Sequence, residues 1–190
     1  SKSTLLYPQE FTGDSRSVFL LGEANFKVKP DKKRPFIVKS NDLQITALGT
    51  EFNVSAYPES QEIATTLISG SIRVAYNNLT TSVILHPNEQ FAYNRNNKKY
   101  DLSNPDMDDV TAWQRGELVL QKMTLTDIIN VLERKYPYAF VYSIKNLKND
   151  RFSFRFKDNA PLEEVMEIIV NVVGQMDYRI VEDKCYLTRI

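Results

Sequence analysis

Leu125-Thr126-Asp127-Ile128-Ile129-Asn130-Val131-Leu132 and Leu162-Glu163-Glu164-Val165-Met166-Glu167-Ile168-Ile169 carry the same apolar pattern at a constant offset of 37 (125 to 162, 132 to 169). Apolar residues at i, i+3, i+4 and i+7 make one face of a helix. Thr124 stands where an N-cap is needed, with Asp127 three residues on as its capping-box partner. Tyr136-Pro137 ends the first helix, because proline cannot continue it. The second starts near Pro161, buries Leu162, Val165, Met166, Ile169, Val172 and Val173, and leaves through Gly174. Each helix has a strand on either side. Gly116, Glu117, Leu118, Val119 and Leu120 form the first, and residues 139–142 and 151–156 follow. Residues 178–180 and the closing run Cys185, Tyr186, Leu187, Thr188, Arg189 and Ile190 complete the set. The unit is βαβ used twice, a small α+β domain over 115–190.

Outward from this duplication the period changes. Up to about Asn97, apolar and polar residues alternate as in strands, in runs such as Val18-Phe19-Leu20-Leu21, Leu43-Gln44-Ile45-Thr46-Ala47 and Ile72-Arg73-Val74. Tight turns are expected at Gly22, Gly49, Gly70 and Asn88, the last after Pro87 in a type II turn. Their uneven spacing suits an irregular β-solenoid or a sandwich over residues 1–98. Residues 99–114 are polar and read as a linker that ends in a short helix or turn near Trp113. The fold class is therefore mixed: an N-terminal all-β domain, then the α+β domain.

Composition narrows the chemistry. The 190 residues hold 24 basic and 24 acidic side chains, so no global field favours nucleic acid or an anionic membrane surface. One cysteine, Cys185, excludes an internal disulfide, and one histidine, His86, excludes a site built on two. His86-Pro87-Asn88-Glu89 reads as a solvated turn, not part of a hydrolase triad. A zinc site lacks ligands, and Asp101, Asp106, Asp108 and Asp109 read as helix caps, not calcium ligands. No metal or other cofactor is expected. Glu23, Glu51 and Glu89 lie near turns, but nothing fixes the separation a glycosidase pair requires. Arg151-Phe152-Ser153-Phe154-Arg155-Phe156-Lys157 alternates aromatic and polar residues, and its rings are needed as core under two helices. No apolar run approaches the roughly 20 residues of a spanning helix. No leader is visible at Ser1, so the chain reads as a piece of a longer protein.

Several strings in order resemble the periplasmic region of FecR-type anti-sigma factors. They are Arg16-Ser17-Val18-Phe19-Leu20-Leu21-Gly22-Glu23-Ala24-Asn25-Phe26-Lys27-Val28, where Asn25 replaces the usual aromatic; Pro35-Phe36-Ile37-Val38; and Ala47-Leu48-Gly49-Thr50-Glu51-Phe52-Asn53-Val54. Leu67 to Val74, Leu85-His86-Pro87-Asn88-Glu89-Gln90 (Asn88 for glycine), Trp113-Gln114-Arg115-Gly116, Leu132-Glu133-Arg134-Lys135-Tyr136 and Pro161-Leu162-Glu163-Glu164-Val165 continue the series. The C-terminal half also resembles the short secretin/TonB N-terminal (STN) fold. The resemblance implies a single-pass inner-membrane regulator. Its cytoplasmic segment, absent here, would hold an extracytoplasmic-function sigma factor. Its periplasmic part would bind the signalling domain of a TonB-dependent outer-membrane transducer. Membrane contact would come only through a helix absent here. A small sheet has edges that accept a partner strand, so residues 116–120 or 185–190 are expected to supply the contact. Some relatives split at a Gly-Thr bond, here Gly49-Thr50, where the Thr50 hydroxyl would attack the Gly49 carbonyl. A plain turn glycine followed by a strand threonine is the favoured reading. A carbohydrate-binding β module is the alternative function.

Overall fold

The structure, a computed structural model, describes residues 3–142 and 150–190. The chain divides into two compact units, residues 1–110 and 111–190.

The first unit is one ten-stranded sheet. In chain order its strands are β1 (Thr4–Leu6), β2 (Arg16–Lys27), β3 (Phe36–Lys39), β4 (Gln44–Ala47), β5 (Glu51–Ala56), β6 (Glu62–Ser69), β7 (Ile72–Tyr76), β8 (Thr81–Leu85), β9 (Gln90–Asn94) and β10 (Tyr100–Ser103). They lie in the order β10-β9-β6-β5-β2-β3-β4-β7-β8, with β1 added on β2. Only β2 and β3 run parallel; the other pairs are antiparallel. That pattern removes the solenoid alternative, because a solenoid stacks its strands in parallel. The two wings curl to face each other. Tyr76 on β7 packs against Phe91 and Tyr93 on β9 at 5.4 and 6.0 Å, although five strands separate them in the sheet. One core fills the curl, with Leu20, Val38, Ile45, Phe52, Leu67 and Phe91 fully enclosed.

Two local expectations are corrected here. Gly22 is no tight turn: it sits inside the 12-residue β2 with φ of +101°. Before it β2 pairs with β1 and β3; from Gly22 onward it pairs with β5. It is a bend that carries one strand from wing to wing. Residues 99–114, expected as a linker ending in a short helix or turn, do hold the short helix α1 (Met107–Thr111), but they also hold β10, which was not expected. β10 forms because Tyr100 stacks on Phe91 at 5.0 Å and meets Tyr76 edge-on at 5.2 Å. The turn at Asn88 is as expected: φ is +69°, and Glu89 N–H donates to the His86 carbonyl at 3.1 Å.

The second unit runs through a 3-10 turn (Ala112–Arg115), β11 (Glu117–Thr124), α2 (Leu125–Lys135), β12 (Ala139–Tyr142), β13 (Arg151–Lys157), α3 (Leu162–Val173), β14 (Met176–Val181) and β15 (Lys184–Arg189). All eight repeated apolar positions of the two helices are buried. Thr124 caps α2 as expected: its Oγ1 accepts from Asp127 N–H at 3.2 Å and donates to Asp127 Oδ2 at 2.6 Å. Val172 departs from the expectation and is 58% exposed. At 100° per residue it lies about 70° from the centre of the stripe, whereas Val173 lies within it.

The duplication is present, but neither copy closes a parallel βαβ sheet. β11 pairs antiparallel with β13 in a two-stranded sheet, while β12 and β14 belong to a three-stranded sheet in the order β12-β15-β14. Each strand–helix–strand copy therefore starts in one sheet and ends in the other. β15 runs parallel to β12 and antiparallel to β14, so the two end strands point in opposite directions. Helices and both sheets share one core. Phe152, Phe154 and Phe156 stack along β13 into it at 6.4 and 5.7 Å, which places these rings in the core as expected.

Candidate functional site

The two strands expected to offer an edge have different surroundings. β15 has β12 on one side and β14 on the other, paired over 184–187 and 184–189. Cys185, Tyr186 and Leu187 therefore spend their backbone groups on both neighbours, and a third strand cannot be added there. Thr188 and Arg189 pair with β14, and Ile190 lies past the strand end with its N–H donating to the Gln175 carbonyl at 3.1 Å. The expectation that 185–190 supplies the edge is corrected: the last strand of the chain is inserted centrally. Sequence order carries no signal for this, because it follows from pairing across some forty residues.

β11 is different. Among the described residues it pairs with β13 alone, so no strand occupies its far side along Leu118, Val119 and Leu120. Leu120 is buried and Leu118 packs on the core, while Val119 alternates to the outer face opposite Arg155. Glu117 accepts from Arg155 Nη1 at 2.7 Å and from Arg115 Nη2 at 3.4 Å at the start of the strand. Gly116 precedes β11 and belongs to the turn: its φ of +73° closes the 3-10 segment, and its carbonyl accepts from Asp158 N–H at 2.7 Å.

Cys185 faces the core, fully enclosed, and burial pushes its thiol up to about 11, with the Glu163 carboxylate adding to the rise. A thiol in that state holds almost no thiolate at pH 8. The folded chain is expected to leave a disulfide reagent unreacted at pH 8 and to release one equivalent once denatured. Rapid labelling of the folded chain would contradict the enclosed position.

The Gly49-Thr50 step sits between β4 and β5. A side chain on Gly49 would meet Pro30 at 2.8 to 2.9 Å, so close packing accounts for the glycine. Thr50 is buried; its carbonyl accepts from Val28 N–H at 2.9 Å, and its Oγ1 is enclosed without a hydrogen-bond partner. Among the described residues no base hydrogen-bonds to the hydroxyl. The three glutamates weighed as a carboxylate pair are held in structural bonds. Glu23 accepts from Asn53 Nδ2 at 2.8 Å, Glu51 from Asn25 Nδ2 at 3.3 Å, and Glu89 from His86 N–H at 2.8 Å. Asp106 accepts from Asp108 N–H at 2.9 Å at the start of α1, the capping role expected of that acidic run. Among the described residues no three His, Cys, Asp or Glu side chains cluster as metal ligands.

The sequence pattern missed Arg95 and Asp42. Arg95 Nε pairs with Asp42 Oδ2 at 3.0 Å, and its Nη1 donates to the carbonyls of Tyr57, Pro58 and Ser60 at 2.8, 2.9 and 2.6 Å. Three turns of the β unit are tied by that one side chain. A lone arginine in an asparagine-rich loop gives no local sign of this role.

A large curled β sheet followed by a small duplicated α+β unit is also the architecture of a crystallised protein described as an anti-sigma factor candidate from Parabacteroides distasonis. Two crystal structures of it are among those that match this chain. One does so with a TM-score of 0.90 at 32% identity, covering 99% of this chain and 87% of the other. The second gives 0.89 at 33% identity, covering 99% and 86%. Residues 1–73 match the family described as FecR protein, and residues 117–187 match FecR, C-terminal. The chain belongs to the FecR family, and its role is in the regulation of a sigma factor. FecR proteins are membrane-anchored with periplasmic domains. No helix among the described residues is long and apolar enough to cross a membrane. No curated protein matches the chain.

Proposed function

We propose that this chain is the periplasmic relay of a FecR-family anti-sigma factor, and that its α+β unit, STN-like in its duplication, receives the signalling domain of a TonB-dependent outer-membrane transducer. The open side of β11 carries the reading. A partner strand added there would extend the two-stranded sheet by backbone hydrogen bonds, while the half-buried outer side chain of Val119 helps set the match. The sigma factor itself would bind a cytoplasmic segment outside these residues.

The test is a calorimetric titration of the chain with the isolated signalling domain of the transducer encoded beside it, repeated with Val119→Pro and with Tyr186→Pro. Saturable binding is expected for the parent. Val119→Pro is expected to lose at least about tenfold in affinity, roughly 1.4 kcal/mol, while the helical circular dichroism stays unchanged. Tyr186→Pro, in the central strand, should instead damage the fold. Unchanged affinity in Val119→Pro would overturn the edge assignment, and no binding by the parent would overturn the transducer reading. Saturable binding of soluble glycans together with no binding of the signalling domain would favour the carbohydrate-binding alternative.

Gly49-Thr50 enters this reading as a structural turn. Without a base the Thr50 hydroxyl has no route to a nucleophile. Intact mass after prolonged incubation is expected to give one unbroken chain; two fragments joining at residue 49 would establish cleavage.

A further inference from the structure

Three hairpin tips converge at one end of the β unit: residues 40–43 between β3 and β4, 77–80 between β7 and β8, and 95–99 between β9 and β10. Between them lies a cleft of about 360 Å³, within the range of small-molecule sites. We propose that this cleft binds a small ligand that carries one carboxylate and several hydroxyls, of the uronic acid class. The proposal is independent of the transducer contact, which lies in the other unit.

Charge is the first argument. Lys39, Lys98 and Asp42 line the cleft. The Asp42 carboxylate is already engaged by Arg95 at 3.0 Å and faces Lys98 Nζ at 3.9 Å. With Arg95 behind it neutralising Asp42, the two lysines leave the cleft positive. Arg95 has spent its planar fork on Asp42 and three carbonyls, so the bidentate grip that favours phosphate is not on offer. A carboxylate needs only the point charges that remain.

The second argument is the polar lining. Asn41, Gln44, Asn77 and Asn78, all with side-chain amides, line the cleft, while the Ser40 hydroxyl is held in its own turn by Leu43. Amides offer both donors and acceptors, which is what a vicinal pair of hydroxyls requires. No aromatic face is open to stack on a neutral ring: Tyr93 is 2% exposed and lies under Lys98, whose Nζ is 6.0 Å from the ring centre. Affinity must come from charge and hydrogen bonds, and this selects an acid over a neutral sugar.

The third argument is backbone conformation. Asn77, Asn78, Leu79 and Lys98 have φ of +49°, +56°, +65° and +57°, four of the eight non-glycine residues with positive φ among those described. Asparagine tolerates this region, but for leucine and lysine it costs about 1–2 kcal/mol each. Such residues persist where their surroundings over-determine them, and they gather at ligand clamps. Here the surroundings are visible. Tyr93 O–H donates to Asn77 Oδ1 at 3.1 Å from the core below. Asn94 Oδ1 accepts from the N–H groups of Asn96 and Asn97 at 2.9 and 3.2 Å, and Lys98 N–H donates to the Asn94 carbonyl at 3.0 Å. The tips are set in advance of any ligand.

The test is a titration of the whole chain with D-galacturonate, followed by amide chemical shifts, with methyl galactoside as the neutral control and Lys98→Met as the variant. Saturation with a dissociation constant in the millimolar range is expected, about 4 kcal/mol of binding, with shifts confined to 40–44, 77–79 and 98. Methyl galactoside and the Lys98→Met variant should each bind at least about tenfold more weakly. Methionine leaves the stem and the turn in place, so the variant reads the charge alone. No saturation with galacturonate, equal binding of the neutral sugar, or undiminished binding by Lys98→Met would each overturn the proposal.

Discussion

Arg95→Ala is expected to lower the unfolding free energy of the β unit by about 3 kcal/mol, the scale found when one partner of a mostly buried ion pair is removed. The Arg95 side chain is 16% exposed and Asp42 is 25% exposed, so solvent screens little of the pair. The substitution also strips the carbonyls of Tyr57, Pro58 and Ser60 of a shared charged donor. The backbone N–H of Arg95, which donates to the Gln61 carbonyl at 2.9 Å, survives the change, so the β9 end stays attached while the turns around it loosen. A thermal scan should read a fall of roughly 10–15 °C. Arg95→Lys keeps the charge but not the fork, and should recover less than half of the loss. Asp42→Asn should cost less than Arg95→Ala, because the carbonyls keep their donor. A loss below about 1 kcal/mol for Arg95→Ala would place it among ordinary surface pairs and remove the rigid frame from beneath the cleft.

The same residue shows where sequence reading stops. Both helices were legible because their evidence is local: a 3.6-residue period, Thr124 before the first and Gly174 after the second. Strand alternation was equally local, and so was the Pro87-Asn88 turn. What failed in each case was a fact about distant pairing. Residues 185–190 alternate like any strand, and nothing in them says that β12 and β14 will close on both sides. Tyr100 begins a run too polar to read as a strand until Phe91 lies beneath its ring. Gly22 is a signal with two meanings, a turn or a bend inside a strand, and only the switch of partners from β3 to β5 decides between them. Residues 116–120 were legible as one of two candidate edges, and nothing local separates them from 185–190. The cleft was not legible at all, because each of its tips is an ordinary polar turn and the convergence belongs to the curl of the sheet.

Gly22 supplies the second large effect, since the curl depends on it. Gly22→Ala is expected to cost about 2–3 kcal/mol, in part from the roughly 1–2 kcal/mol penalty of a side chain in a positive-φ conformation. The rest comes from Ser3: an added Cβ would sit 2.6 Å from Ser3 Oγ and 2.8 Å from Ser3 Cα. Ser3 is not idle there, since its Oγ accepts from Glu23 N–H at 2.9 Å and holds the start of β1 against the bend. The two causes separate in a double variant. Ser3→Gly in the Gly22→Ala background removes the Oγ and Cβ contacts, keeps the one to Cα, gives up the Glu23 N–H bond and leaves φ unchanged, so it should restore less than half of the lost stability. Full restoration would mean that the backbone at residue 22 can relax and that the bend is held by β1 alone. If instead the deficit persists, the conformation of one residue sets where β2 leaves the β3 wing for the β5 wing. The enclosure of Phe52 and Leu20 on either side of it then rests on that position, and a bulkier residue such as valine should cost more than alanine, because a branched side chain fits positive φ worse still.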